Sequence, residues 1–128
     1  MLTTEAPLRP RQTPPVPHLG TLPQLLKVLA DENRLRMFAL LTKTELCVCE
    51  LEVALGLSQS LVSSHLRVLK RAGLVRARRD EVDARWIYYS VDEQAVEGLR
   101  AGFLKLVDLS QMSHDLATCG ASRLEMYA

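Results

Sequence analysis

Two cysteines, Cys47 and Cys49, stand one residue apart in the stretch ELCVCELEVALG. Thiolates are soft ligands, and a pair of them suits thiophilic metals and metalloids. On a helix, however, side chains two residues apart point roughly 200° away from each other, so two such thiols cannot share one ligand without distorting the backbone. The pair therefore predicts a ligand site that is coupled to the conformation of the segment carrying it.

A third cysteine, Cys119, lies near the end of the chain in a run of small residues, ATCGAS. Three cysteines are an odd number, and no charged segment followed by an apolar run opens the sequence. We therefore expect a cytoplasmic protein with reduced thiols rather than a disulfide scaffold. No apolar run approaches the roughly 18 residues that suggest a membrane span, so no membrane partner is expected.

Cationic side chains are concentrated in one part of a chain whose net charge is only +1. Between Val53 and Arg79 there is no acidic residue. The same segment carries six cationic residues, which are Arg67, Lys70, Arg71, Arg76, Arg78 and Arg79. Such a one-sided distribution is typical of a surface that binds the phosphates of nucleic acid.

The same segment follows the pattern of a helix-turn-helix. A short helix ends at Gly56, and Ser58 is suited to cap a second helix over Gln59–Arg71. The apolar residues of this second helix recur at helical spacing and are expected to be buried: Val62, Leu66 and Leu69. Its polar face could be a solvated surface, but serine and glutamine also donate and accept hydrogen bonds at base edges.

We predict that this second helix contacts DNA. The candidates for base or phosphate contact are Gln59, Ser60, Ser63, Ser64 and His65, with Arg67 and Lys70 nearer the backbone. For His65 a second interpretation stays open, because it adjoins the apolar Leu66 and could pack at the margin of the helix.

The next residues change to strand character. LVRARR over residues 74–79 and RWIYYSV over residues 85–91 are separated by the polar turn DEVDA, which predicts a β-hairpin. Three arginines near this turn are expected to contact phosphates: Arg78, Arg79 and Arg85. Three acidic residues argue against deep insertion into a groove: Asp80, Glu81 and Asp83.

Helices are expected on both sides of this unit. Thr21 and Pro23 suit the start of a first helix, and Asp31 suits the start of a second. Ser90 and Glu93 form a capping-box pattern that opens a last helix. The apolar stripe of that helix consists of Val96, Leu99, Phe103, Leu106 and Val107.

The predicted element order is α-α-α-α-β-β-α, a mainly α fold with a β-hairpin wing. Residues 1–18, which hold most of the prolines, are predicted to be a mobile arm. Residues 19–113 are predicted to form the DNA-binding and dimerisation domain, and residues 114–128 a tail that carries Cys119.

Four stretches together resemble the ArsR/SmtB family of winged-helix repressors: LADENRLRMFALL, ELCVCEL, LSQSLVSSHLRVLKRAGLV and RWIYYSV. ELCVCEL resembles the metalloid box of the arsenic-responsive members. The resemblance implies a homodimer held by its first and last helices, bound to operator DNA until a metal or metalloid releases it. A helix-turn-helix dimer is expected to bind an imperfect inverted repeat.

By this resemblance Cys47 and Cys49 are the first two thiol ligands, and the inducer is trivalent arsenic or antimony, As(III) or Sb(III). The best-known arsenic repressors carry a third cysteine three residues after the second, where this chain has Glu52. A carboxylate is a poor substitute for a thiolate. Cys119 is the candidate for the third ligand, from its own subunit or from the partner; an unattached thiol is the other possibility.

A ligand that takes both thiolates is expected to unwind or bend the first turn of the helix that carries them, and so to displace the recognition helix. Two alternatives stay open, a repressor of the same fold that senses another soft metal and one that senses thiol oxidation. Catalysis is not expected, because the chain has no C-x-x-C motif and no arginine six residues after any cysteine.

Overall fold

The structure is a computed structural model, and it describes residues 19–110 and residue 112. Its elements are α1 (Leu22–Leu29), α2 (Glu32–Leu41), β1 (Leu46–Cys47), α3 (Val48–Leu55), α4 (Gln59–Arg71), β2 (Val75–Arg79), β3 (Ile87–Val91) and α5 (Glu93–Leu106). The predicted mainly helical fold with a β-hairpin wing is confirmed, with one short strand, β1, that the sequence analysis missed.

Leu19–Val107 forms one compact unit. The predicted N-terminal arm (residues 1–18) and C-terminal tail (residues 114–128), including Cys119, lie outside the described residues. The predicted division into arm, domain and tail therefore stays a prediction.

The core lies where α2, α3 and α4 meet the sheet. The largest fully buried side chains are Met37, Leu51, Val62, Leu66, Leu69 and Leu74. Fully burying one such side chain stabilises the fold by about 1.5–3 kcal/mol. The stripe predicted for α4 is confirmed, and its burial determines which face of α4 is left toward solvent.

Side-chain caps begin the two helices for which they were predicted at Asp31 and Ser58. Asp31 Oδ1 accepts a hydrogen bond from the backbone N–H of Arg34 at 3.1 Å. Ser58 Oγ accepts one from the backbone N–H of Leu61 at 3.2 Å. Thr21 precedes α1, but its side chain makes no capping bond. These caps satisfy amide groups that have no partner inside the helix.

The last helix begins differently from the prediction. Ser90 pairs with Arg76 in the sheet, and Asp92 Oδ1 accepts the hydrogen bond from the backbone N–H of Ala95 at 3.0 Å. The predicted capping box of Ser90 and Glu93 is wrong because the strand ladder continues through Val91 and keeps Ser90 extended.

The sheet has the strand order β1-β3-β2, and both pairings are antiparallel. The hairpin strands are shorter than predicted. Leu74 lies in the turn that follows α4, where its N–H bonds to the carbonyl of Leu69 at 3.0 Å. Trp86 belongs to the turn, where its N–H bonds to the carbonyl of Asp83 at 3.0 Å.

Helix α5 has no fully buried side chain in the described part of the chain. It approaches α1 closely at Gly102, where an added Cβ would lie 3.3 Å from Leu22 Cδ1. Val96 and Leu99 are partly buried against the core, whereas the apolar residues in the last turns of the helix are open, with Phe103 42% and Leu106 46% exposed. Among the described helices, none is long and apolar enough to cross a membrane.

Candidate DNA-binding face and thiol site

The turn between α3 and α4 is built around Gly56, which ends α3 in the left-handed conformation with φ 67°. A residue with a Cβ adopts this conformation only with strain, so glycine is suited to the position. The N–H of Gly56 bonds to the carbonyl of Glu52 at 2.9 Å. Ser58 follows directly as the cap of α4. This local geometry sets the angle at which α4 leaves the core.

The outer face of α4 carries the predicted DNA contacts. Five of these residues are exposed, namely Gln59, Ser60, Ser64, Arg67 and Lys70, and Ser63 is half-buried. Their side chains make no intrachain hydrogen bond or ion pair with any residue between 19 and 110. Within the part of the chain that the structure describes, their donors and acceptors are therefore left for a partner molecule.

His65 is placed differently from the other candidates. It is half-buried, and its Nδ1 lies 3.5 Å from Nη1 of Arg34 on α2. Arg34 is itself held by a bond from its Nε to the carbonyl of Val28 at 2.7 Å. This position matches the second interpretation of His65, as a residue that packs at the margin of the helix.

In the wing, Arg78 is bound to an acidic residue that the sequence analysis missed. Its Nε donates to Oε2 of Glu45 at 2.8 Å, and its Nη2 donates to the other oxygen. The guanidinium lies 5.0 Å from the centroid of the Tyr88 ring, within the range of a cation–π contact. The hydrogen bonds from Arg78 hold the pKa of Glu45 below its usual value.

Arg79 and Arg85 stabilise the wing turn. Nη1 of Arg79 donates to the carbonyl of Ala84 at 2.8 Å, and Nη2 of Arg85 pairs with Asp83 at 2.7 Å. Asp80 accepts bonds from the backbone N–H groups of residues 82 and 83. Asp80 and Asp83 therefore have a structural use in shaping the turn.

Cys47 is not helical, which corrects the expectation that both thiols lie on one helix. It caps α3 with an extended backbone, φ −89° and ψ 171°. Its N–H donates to Oε1 of Glu50 at 3.0 Å, and its thiol faces the N–H of Glu50 in return. The spacing C-x-x-E is that of a capping box with cysteine in the position usual for serine or threonine.

The two thiols differ in environment. Cys47 is 6% exposed, and this burial raises the pKa of its thiol. Cys49 is exposed in the first turn of α3. Cys47 is also part of β1, where it pairs with Tyr88 of the wing. The segment that holds the thiols is thus joined both to α3 and to the hairpin.

Within residues 19–110 no three side chains of histidine, cysteine, aspartate or glutamate are grouped so that they could hold a metal ion. Without Cys119, the site has two soft sulfur ligands, Cys47 and Cys49. A third sulfur from Cys119 lies outside the described residues. Two thiols fit a ligand that needs few bonds better than a tetrahedral metal such as zinc.

The chain is similar to known bacterial regulatory proteins. Residues 31–77 match the model of the bacterial regulatory protein, arsR family. The arsenic resistance transcriptional regulator ArsR1 of Pseudomonas putida is 40% identical over 92 residues, which cover 71% of this chain and 70% of that protein. The arsenical resistance operon repressor of Escherichia coli is 45% identical over 67 residues, covering 52% of this chain and 55% of that protein.

A solved structure shares the fold. It is the homodimeric winged helix-turn-helix DNA-binding domain of a possible ArsR-family transcriptional regulator from Mycobacterium bovis. The TM-score is 0.55 at 26% identity, and the match covers 74% of this chain and 86% of that chain.

Proposed function

We propose that this chain, which belongs to the arsR family of bacterial regulatory proteins, represses transcription until arsenite or antimonite binds its thiolates. In this proposal it binds operator DNA in the cytoplasm as a homodimer. The observation that carries the proposal is the thiol pair Cys47 and Cys49 at the start of α3, the helix that packs against α4.

DNA binding is supported by the free outer face of α4. We propose that Gln59, Ser60, Ser63 and Ser64 meet base edges and phosphates, while Arg67 and Lys70 meet phosphates. In the wing, Arg78, Arg79 and Arg85 are proposed to contact the DNA backbone. His65 has the weakest support as a DNA contact, because it lies against Arg34. Phosphate contacts release counterions, so binding should weaken steeply as salt increases.

The homodimer is supported by the uncovered face of α5 and by the homodimeric relative from Mycobacterium bovis. We propose contact between copies through α1 and α5. Recognition helices of such dimers enter half-sites about 34–36 Å apart, so the operator should be an imperfect inverted repeat.

Arsenite suits the thiols because it forms few, strong bonds to sulfur. Arsenous acid exchanges a hydroxyl group for each thiol: an arsenic–sulfur bond forms, an arsenic–oxygen bond breaks, and the thiol proton leaves with the hydroxyl as water. No electrons are transferred. Cys119 is proposed as the third thiol, from either subunit.

Bonding to both thiols has a structural cost. The Cys47 thiol faces the N–H of Glu50, whereas Cys49 is exposed within the first turn. A shared arsenic atom must draw Cys47 out of its capping position or unwind that turn. Leu51 and Leu55 of α3 share a core cluster with Val62 and Leu66 of α4. Movement of α3 should therefore misalign α4 with its half-site.

The test is titration of arsenite into the full-length protein bound to a duplex that the apo protein has selected from a random pool. Release should correspond to a loss of about 5–150-fold in DNA affinity. Cys47→Ser and Cys49→Ser should bind the duplex and stay bound. Cys119→Ser should need more arsenite if Cys119 is the third ligand. Zinc and peroxide serve as controls, and release by peroxide but not by arsenite would favour the oxidation-sensing alternative.

The thiols can also be distinguished chemically. Iodoacetamide should modify Cys49 before Cys47, because Cys47 is buried and its raised pKa leaves less thiolate at neutral pH. The rate at Cys47 should continue to rise as pH passes the usual thiol value of about 8.5. Peptide mapping by mass spectrometry measures each site. Equal rates at pH 7 would contradict the buried capping position of Cys47.

DNA contacts are tested by comparing sequence preference with overall affinity. Gln59→Ala should relax the preference for the selected duplex, whereas Arg67→Ala should weaken selected and random duplexes alike. The reverse pattern would mean that base reading lies elsewhere than at the start of α4.

A further inference from the structure

One cross-strand row connects the thiol segment to the wing. Cys47 of β1 is opposite Tyr88 of β3, and Tyr88 is opposite Arg78 of β2. Directly opposed residues of antiparallel strands lie on the same face of a sheet, with Cβ atoms about 4.5–5.5 Å apart. Three residues therefore stand side by side, one in the thiol pair and two in the hairpin.

A second connection joins the same two segments. Glu45, two residues before Cys47, accepts both hydrogen bonds from the guanidinium of Arg78. The side chain of Glu45 is 33% exposed and that of Arg78 is 51% exposed. The ring of Tyr88 lies beside the same guanidinium. Arg78 is thus fixed by the strand register with Tyr88 and by the ion pair with Glu45, and both of these partners are tied to the thiol segment, Tyr88 through its pairing with Cys47 and Glu45 through the chain.

We propose that Glu45 is a positioning residue that couples the thiols to the wing: a metalloid bound at Cys47 and Cys49 displaces Glu45 and Leu46–Cys47, and Arg78 loses the position from which it meets DNA. This rests on the proposed function, because it concerns how the same thiols release DNA. It adds a second way for metalloid binding to affect DNA binding, through the sheet and the wing (the sheet route), beside the movement of α3 against α4.

The sheet route follows from the shortness of β1. The strand has two residues, and its pairing with β3 consists of Leu46 opposite Tyr89 and Cys47 opposite Tyr88. Half of that pairing involves a proposed ligand. A movement that brings the Cys47 sulfur toward Cys49 therefore acts directly on the strand and on Glu45 beside it.

The experiment compares Glu45→Gln, Arg78→Gln and the double variant in the full-length protein. Glu81→Gln is the matched control, because it removes the same charge from an exposed residue of the wing turn. Trp86, the single tryptophan of the chain, lies in the wing and reports on it by fluorescence. Near-ultraviolet absorbance of arsenic–thiolate bonds measures arsenite binding independently, with no DNA present.

Arsenite should change Trp86 emission in the wild type and in Glu81→Gln. In Glu45→Gln most of this change should be lost, while arsenite still binds. The ratio of DNA affinities without and with arsenite should fall by about two- to fivefold, the size expected for a partly exposed ion pair. Arg78→Gln should show the same reduced ratio, and the double variant should show no further reduction, because one pair is removed in each case.

The outcomes separate this inference from the function on which it rests. If arsenite binds and releases wild-type protein from DNA but Trp86 emission stays constant, the coupling through Glu45 is wrong and the proposed function stands. The inference is also wrong if Glu45→Gln keeps the full emission change and the full affinity ratio. If arsenite does not bind the wild type at all, the proposed function fails and the inference fails with it.

Discussion

Helices α4 and α5 have nearly the same length, 13 and 14 residues, and both carry apolar residues at helical spacing. Their surroundings differ. Val62, Leu66 and Leu69 of α4 are at most 2% exposed, whereas no side chain of α5 is buried in the described chain. The same periodicity thus gives a helix packed in its own core in one case and a helix with an open face in the other. Periodicity predicts a face to be covered, but not by which molecule.

The largest expected loss of stability comes from a substitution in the buried stripe of α4. Leu66→Ala should lower the free energy of unfolding by about 2–5 kcal/mol, because the site is enclosed and a cavity remains. Urea unfolding at fixed protein concentration measures the change. Leu99→Ala on α5 is the matched variant and should cost less, since Leu99 is only half-buried. Equal losses would remove the contrast between the two helices.

A charge introduced on the open face of α5 should weaken the association of the subunits. Leu106→Glu should raise the dimer dissociation constant by at least about tenfold, because a charge placed in an apolar contact is left without a partner. Leu35→Glu is the control: Leu35 on α2 is 50% exposed, close to the 46% of Leu106. Sedimentation equilibrium measures both. A dimer that is equally weakened by both substitutions would place the contact elsewhere.

Removing the side-chain cap of either helix should have a smaller effect on stability. Ser58→Ala removes the side-chain cap of α4 and should cost about 1 kcal/mol within a range of roughly 0.5–2. Asp92→Ala removes the corresponding bond at α5. Because α5 contributes less to the core, its first turn should fray with a smaller loss of global stability. Hydrogen exchange at Leu61 and Ala95 distinguishes local fraying from global unfolding.

The smallest effect is expected at Gly98 on α5. Gly98→Ala should stabilise the protein by about 0.5–1 kcal/mol, because alanine favours the helix and nothing lies within 4 Å of the added Cβ. Thermal unfolding at two protein concentrations measures it. A destabilised dimer would show that the partner subunit covers Gly98, and would extend the contact face around α5.

Much of this unit could be predicted from local sequence. The bounds of α4 follow from Ser58, from the apolar stripe and from the glycine that follows the helix, and the structure gives the same bounds. The sequence pattern predicts the start of each hairpin strand to within two residues. Caps, turns and helical periodicity involve residues within about four positions of each other, so they can be predicted from short stretches of sequence.

The features missed depend on residues far apart in the chain. Cys47 is extended rather than helical because it pairs with Tyr88, 41 positions away by the residue numbers of that pairing. Ser90 is a strand residue rather than a cap because it pairs with Arg76. The position of Arg78 depends on Glu45, at a separation of 33 residues. No local spacing encodes such partners.

The sequence by itself therefore determined the helix-turn-helix, the polar face of α4, the wing and the presence of two thiols one residue apart. Only the tertiary structure decided that those thiols stand at the junction of α3 and the sheet, one buried and one exposed. The physical reason is that strand pairing and ion pairs connect residues that are far apart in the sequence. Which residues meet in this way depends on how the helices and strands pack together, and not on the residues next to them in the chain.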